Sequence, residues 1–218
     1  MSSENIPVRD AATIIVIRDR HAAPSVLMGQ RGKAAVFMPD KVVFPGGAVD
    51  PGDAAITLAG PLPDACARRL GPDGATFAAA GIRELWEETG QVAGCRADWA
   101  EAPGDWRGFA ATGHRPDARG LRYVFRAITP PGRPRRFDAR FFTLDAESLA
   151  SDPDDFSAAG DELANLKWIP IEEARGLDLP YVTAIVLAEV AARLPSLDTP
   201  DRIPFFDGDA PEVRDAAR

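Results

Sequence analysis

The segment GIRELWEETGQV, residues 81–92, sets Arg83 beside three glutamates, Glu84, Glu87 and Glu88, and closes on Gly90. On a helix of 3.6 residues per turn Glu88 lies about 40° to one side of Glu84 and Glu87 about 60° to the other, so the three carboxylates share one face. A solvated face with an Arg83–Glu87 pair at i, i+4 explains one of them. It leaves Glu84 and Glu88 as a like-charge i, i+4 pair, disfavoured by a few tenths of a kcal/mol, roughly 0.2–0.5. A divalent cation between the two reverses that sign, and carboxylate oxygens suit Mg²⁺ or Mn²⁺, which keep several waters and bridge to phosphates. Upstream, FPGGAVDPGD supplies Gly46 and Gly47, where backbone can approach a metal or phosphate without a Cβ in the way, followed by Asp50 and Asp53. A glycine turn, an acidic loop and a carboxylate-bearing helix, in that order, form a constellation.

These groups need elements to hold them. Ala78, Ile82, Leu85, Trp86 and Thr89 recur at helical spacing and predict an amphipathic helix that stops at Gly90. AATIIVIRD (11–19) is β-branched and continuous, the pattern of a strand covered on both faces, with SVLMGQR (25–31) as its hairpin partner. KVVFPGG (41–47) predicts one short strand running into Pro45. RYVFRAITP, ARFFTLD and LKWIPI predict three more strands, and residues 179–195 a second long helix. Residues 54–77, rich in Pro, Gly, Ala and Asp, read as an insertion with a short helix near Asp64 to Leu70. The segment 130–136, PPGRPRR, is a loop with a local basic cluster, and the tail 196–218 reads as irregular.

With 218 residues, 45% hydrophobic and 27% charged, the chain has the composition of one globular domain. Its net charge of −8 argues against nucleic-acid or anionic-membrane partners, which call for clustered Lys and Arg. Any phosphate it handles then needs a cation. The apolar run 11–17 is too short to span a bilayer and no basic segment precedes it. Cys66 and Cys95 are not spaced as a metal motif, and a reducing cytoplasm is the expected compartment.

At this level of detail the sequence resembles the nudix hydrolases, whose signature is G-x5-E-x7-R-E-U-x-E-E-x-G-U with U bulky and apolar. Arg83, Glu84, Leu85, Glu87, Glu88 and Gly90 meet its second half, and Gln91 stands at the final apolar position with Val92 one place later. In the first half Gly47 leads to Asp53 rather than Glu, and 29 residues separate Asp53 from Arg83 where the signature has seven. Loops tolerate such insertions because closure entropy grows only logarithmically with length. The likeness covers about residues 10–195 and implies a single domain, an α/β/α sandwich with a central mixed sheet, with residues 54–77 projecting near the cleft as a cap or a homodimer element. An insertion inside the box, together with residues 37–47, is similar to the branch that cleaves coenzyme A and acyl-CoA. The pattern L-L-T-x-R-[SA]-x3-R-x3-G-x3-F-P-G-G aligns from Leu27. Arg31, Gly32 and Phe44, Pro45, Gly46, Gly47 match it, whereas Val36 and Asp40 replace its second Arg and its Gly.

The resemblance implies Mg²⁺- or Mn²⁺-dependent attack of water on a small nucleoside diphosphate linked to X. Glu84, Glu88 and Glu87 with the Gly47 carbonyl would hold the metal, and Arg83 would orient Glu87. Arg31, Phe44, Gly46 and Gly47 would contact substrate. A further carboxylate from a loop before a late strand, general base or extra ligand, falls on Glu162 in GDELANLKW, with Asp161 beside it, or is a solvated loop acid. Glu172 and Glu173 would begin or cap the next segment, and Asp53 is open to a structural role. His114, Arg115 and Arg119 could approach substrate or be merely exposed, and His21 is expected to be inert. Trp106, Phe109 and Tyr123 could stack on a base, with core packing the stronger expectation for Tyr123. ADP-ribose, nucleotide sugars and dinucleotides are the other substrates the family implies, and a silent nucleotide-binding module is the other class.

Overall fold

The computed structural model describes residues 6–32, 38–208 and 214–215. Its strands are β1 (Val8–Arg18), β2 (Ser25–Arg31), β3 (Val42–Val43), β4 (Gly46–Ala48), β5 (Gly94–Arg96), β6 (His114–Pro116), β7 (Arg122–Ile128), β8 (Arg136–Asp145), β9 (Leu163–Pro170), β10 (Pro204–Phe206) and β11 (Arg214–Asp215). Its helices are α1 (Asp64–Leu70), α2 (Gly74–Thr89), α3 (Arg107–Ala111), α4 (Ile171–Ala174) and α5 (Tyr181–Ala191). No helix among the described residues is long and apolar enough to cross a membrane.

The apolar run of β1 sits at the centre of the architecture. β1 runs parallel to β8 along Val8–Ile17, and its other edge pairs antiparallel with β2 at Ile17–Arg18 and with β4 at Ala11–Thr13. Among the described residues nine strands join one mixed sheet in the order β11-β10-β7-β8-β1-β2-β3, with β4 on β1 and β9 on β2. Alternate residues of β1 point to opposite faces. Ile14 and Val16 pack with Phe77, Ile82 and Leu85 of α2, while Ile15 and Ile17 pack with Val186, Leu187 and Val190 of α5. Both layers are apolar, which is why the strand reads as a continuous hydrophobic run, and the result is the expected α/β/α sandwich.

Four expectations need correction. The segment 41–47 is two strands: Val42–Val43 pair with β2, and the chain then crosses at Phe44–Pro45 so that Gly46–Ala48 pair with β1. Helix α2 begins at Gly74, a turn earlier than the apolar spacing shows, because the buried Phe77 extends the stripe upstream. Residues 54–77 do not project over a cleft: Ile56, Leu62, Cys66 and Phe77 are buried in the α2-side core, and Cys66 Sγ contacts the Leu121 carbonyl at 3.6 Å. The tail is not irregular throughout, since β10 adds to the sheet parallel to β7.

Phe206 of β10 is 4% exposed, lies within the α5-side core and meets the Tyr181 ring edge-on at 5.7 Å between centroids. Phe206→Ala should therefore cost about 3 kcal/mol, a fall in Tm of roughly 6–12 °C for a chain of this size. Thermal melts would show it. An unchanged midpoint would return the tail to the status of a loose appendage.

Candidate active site

Arg83 is the point on which the carboxylates converge. Its guanidinium is 4% exposed, and each of its five N–H groups has a partner. Nε and Nη2 donate to the two oxygens of Asp53 at 3.0 Å each, Nη2 also to the Ala48 carbonyl at 3.0 Å, and Nη1 to Glu84 at 2.9 Å and Glu87 at 3.0 Å. Burial alone would lower the pKa of Arg83. Asp53, Glu84 and Glu87 together reverse that and raise it. Asp53 is 2% exposed and sits in a 3-10 turn at Pro51–Ala55, where its carboxylate also accepts the Asp50 N–H at 2.8 Å. Asp53 thus has a structural role: it ties the loop after β4 to the middle of α2 across residues 54–82.

Glu88 is reached from the glycine turn. The Gly46 N–H donates to Glu88 Oε2 at 2.7 Å, and the Glu88 side chain is buried. A Cβ on Gly47 would come within 2.5 Å of the Glu84 carboxyl group, and one on Gly46 within 2.6 Å of the Ala12 carbonyl, so only glycines permit this approach of β4 to β1 and α2. Burial pushes the Glu84 carboxyl up to about 7, with Arg83 pulling it back. Glu87 is raised by the same burial, and the charge of Asp105, which no spacing in the sequence connects to it, adds to the rise. Glu88 is raised well above the usual glutamate range by burial and then by the charge of Glu84, while the Gly46 N–H and Arg31 favour its ionised form.

Glu162, immediately before β9, lines the same cleft, and its charge raises Glu84, Glu87 and Glu88 alike. The structure thus brings together Arg83, Glu84, Glu87, Glu88, Gly46, Gly47 and Glu162. Arg31 lines the cleft too, its Nε buried without a hydrogen-bond partner among the described residues. Phe44 is 4% exposed and belongs to the α5-side core, so what it offers the cleft is an apolar floor. Val36 lies outside the described residues.

Other residues fall elsewhere. Trp106, Phe109 and Tyr123 are buried in the α2-side core. Arg115 lies over the Trp99 ring, Arg119 pairs with Asp117, and His114 is half-buried against Thr112. None of them lines the cleft, nor does any residue of 54–77. Asp161 does not line it either, and His21 is exposed in the β1–β2 turn. Glu172 and Glu173 occupy the first turn of α4, where acids favour the helix N-terminus. The cleft wall that sequence spacing does not reveal comes from Arg9, Lys41, Phe137 and Tyr181 and from Arg133 and Arg135 of the basic loop.

The oxygen donors of Glu84, Glu87, Glu88 and the Gly47 carbonyl have the chemistry that Mg²⁺ or Mn²⁺ requires. Among the described residues no three Asp, Glu, His or Cys side chains are already gathered as an ion-holding group, because Glu84 and Glu87 are turned to Arg83 Nη1 and Glu88 to the Gly46 N–H. A shared ion would draw Glu84 from Nη1 and leave Arg83 held by Asp53 and the Ala48 carbonyl. The crowded carboxylates and the Gly47 cradle fit such an ion.

A raised carboxyl pKa means that the folded chain binds more protons than the unfolded one between the two values. Stability in metal-free buffer therefore falls as pH rises, for Glu84 between the usual 4.5 and about 7. Glu84→Gln should remove this share, on the order of 2 kcal/mol across that window. The Tm of the variant minus that of the parent, measured with chelator, should thus grow from pH 4.5 to 7. A constant or shrinking difference would contradict the strained-carboxylate description.

Comparison with known proteins identifies the family and the fold. The model of the NUDIX domain matches residues 7–192. A Caenorhabditis elegans relative, assigned as nudix hydrolase 7, is 30% identical over 178 residues, covering 76% of this chain and 52% of the relative, so the chain spans about half the length of that curated protein. The crystal structure of a NUDIX hydrolase from Alicyclobacillus acidocaldarius superimposes with a TM-score of 0.66 at 26% identity, over 87% of this chain and 93% of that one. The MutT protein of Methanosarcina mazei Go1 shares the fold at a TM-score of 0.52 and 14% identity, over 87% and 97% of the two chains. With Arg83, Glu84, Glu87 and Glu88 gathered against a Gly46–Gly47 turn on this fold, the chain belongs to the nudix hydrolase family.

Proposed function

We propose that this nudix hydrolase cleaves a nucleoside diphosphate linked to X, and that its substrate is coenzyme A or an acyl-CoA, giving 3′,5′-ADP and phosphopantetheine or its acyl form. The observation that carries the reading is the gathering of Glu84, Glu87 and Glu162 on the lining of a cleft of about 780 Å³, with the buried Glu88 close behind them. An acidic cluster repels a diphosphate unless a cation lies between them. Mg²⁺ or Mn²⁺ held by Glu84, Glu88, Glu87 and the Gly47 carbonyl supplies the charge neutralisation on the diphosphate oxygens.

The remaining work falls to the chain. Arg83 keeps Glu84 and Glu87 directed at the cleft, and Asp53 keeps Arg83 in place. Glu162, on the lining of the same cleft, accepts the proton of the attacking water as its oxygen bonds to phosphorus. The bridging P–O bond breaks and its electron pair leaves with the departing phosphate. Arg31, with a buried N–H lacking a partner among the described residues, is poised for a substrate phosphate oxygen.

Two details support the CoA branch in particular. Arg31 and the Phe44–Gly47 turn line one cleft, as the pattern shared with that branch would require. Asp40, which replaces the glycine of that pattern, has φ of 60°, the left-handed conformation that glycine adopts freely and aspartate tolerates. A left-handed backbone at Asp40 is compatible with the glycine of the pattern.

A mass-spectrometric product screen with Mg²⁺ tests the reading on CoA, an acyl-CoA, ADP-ribose, a nucleotide sugar and a diadenosine polyphosphate, with Glu88→Gln as control. CoA should yield 3′,5′-ADP and phosphopantetheine, with at least about a hundredfold loss in the control. Cleavage of another diphosphate alone would discard CoA and keep the hydrolase. No product from a folded, metal-replete sample would favour a nucleotide-binding module.

A further inference from the structure

The end of the cleft away from the glutamates is basic, although the chain as a whole carries a charge of −8. Arg133 and Arg135, from the loop joining β7 to β8, line the cleft, as does Arg9 of β1. Both loop arginines are exposed, and neither has an ion-pair or hydrogen-bond partner among the described residues. The nearest carboxylate on β8, Asp138, is already taken by Arg126 at 2.7 Å and Arg140 at 3.0 Å. Arg9 makes a long contact of 3.8 Å to Asp50, whose other carboxylate oxygen lies 3.7 Å from Arg83, so Arg9 stands nearer the glutamates than the two loop arginines do.

The register of the sheet separates this end from the glutamates. Ala12 of β1 pairs with Gly47 on one edge, whereas Val8 pairs with Arg136 on the other. Four residues of strand are about 13 Å and two strand spacings about 10 Å, so Gly47 and Arg136 lie roughly 16 Å apart. One diphosphate cannot occupy both ends. Between them the cleft is apolar, lined by Ala127, Phe137, Ala139 and Tyr181. The loop has a defined course: Pro130, Pro131 and Pro134 restrict its backbone, and Gly208 of the tail abuts Pro130, leaving no space for a side chain there.

Resting on the diphosphohydrolase reading, we propose that Arg133 and Arg135 form a second anion subsite, which takes a phosphate monoester of the substrate remote from the scissile diphosphate. The apolar stretch receives the base or sugar that lies between the two phosphates. The site then selects nucleotides with an additional phosphate over their otherwise identical counterparts. Guanidinium groups suit this task, since they hold phosphate through charge-assisted, bidentate hydrogen bonds.

Matched substrates isolate that phosphate: CoA against dephospho-CoA, and NADPH against NADH. For each pair that is hydrolysed, the ratio of kcat/KM for the phosphorylated member to that of its counterpart should be about tenfold or more, the scale of one charge-assisted hydrogen bond. The ratio should fall towards one in an Arg133→Gln/Arg135→Gln double variant and with rising salt. Arg68→Gln/Arg69→Gln, which removes the same charge from exposed positions on α1 outside the cleft, should keep it. A ratio of one in the parent, or equal ratios in both double variants, would overturn the subsite. If no pair is hydrolysed, the diphosphohydrolase reading fails instead, and calorimetry still decides the subsite. 3′,5′-ADP should bind more tightly than AMP, with the difference lost in the Arg133/Arg135 variant, and equal affinities would refute it.

Discussion

The ion pair between Arg83 and Asp53 is the constraint on which the site depends. It is bidentate and almost fully buried, and it joins residues 30 positions apart. Removing one partner of such a pair leaves an uncompensated buried charge, at a cost of about 3–5 kcal/mol, whereas a longer loop between the partners adds little closure entropy. The pair fixes Arg83 by one half of its guanidinium and leaves Nη1 for Glu84 and Glu87. Helix α2 can then carry crowded carboxylates that its own electrostatics disfavour. The 3-10 turn at Pro51–Ala55 brings the Asp53 carboxylate against Arg83 and the Asp50 N–H.

The other half of the arrangement is a close approach of backbone. The chain leaves β2 after β3 and crosses at Phe44–Pro45 to pair with β1 as β4, and this turn delivers the Gly46 N–H to Glu88 and the Gly47 backbone to Glu84. These contacts hold only because β1 is rigidly sandwiched, with Ile14 and Val16 against α2 and Ile15 and Ile17 against α5. Core packing and site geometry therefore share one strand. The cleft lining has two unlike parts, one with Glu84, Glu87 and Glu162 and one with Arg133 and Arg135, which have no ion-pair partner among the described residues.

Much of this was legible in the sequence. The run IIVI announced a strand buried on both faces, and the spacing of Ile82, Leu85 and Trp86 opposite Glu84, Glu87 and Glu88 announced the orientation of α2. Glycine and carboxylate types along residues 46–53 announced that the loop belongs to the site. What escaped were contacts fixed by tertiary register. β10 was hidden because three residues, PFF, give no period to read. Residues 54–77 looked like a cap because Pro and Gly dominate them, yet four apolar side chains anchor them in the core. The basic loop was visible as a charge cluster, but only the β7–β8 hairpin, set parallel to β1, carries it to the cleft.

The claim that most needs direct measurement is that the α2 glutamates, as positioned by Arg83, hold a divalent cation. Electron paramagnetic resonance of Mn²⁺ titrated into the protein reads it without substrate. The account predicts depletion of the free Mn²⁺ signal by the parent chain, with affinity reduced at least about tenfold in Glu84→Gln and in Glu88→Gln. Equal Mn²⁺ affinity in the parent and both variants, or no binding by a folded parent chain, would contradict it.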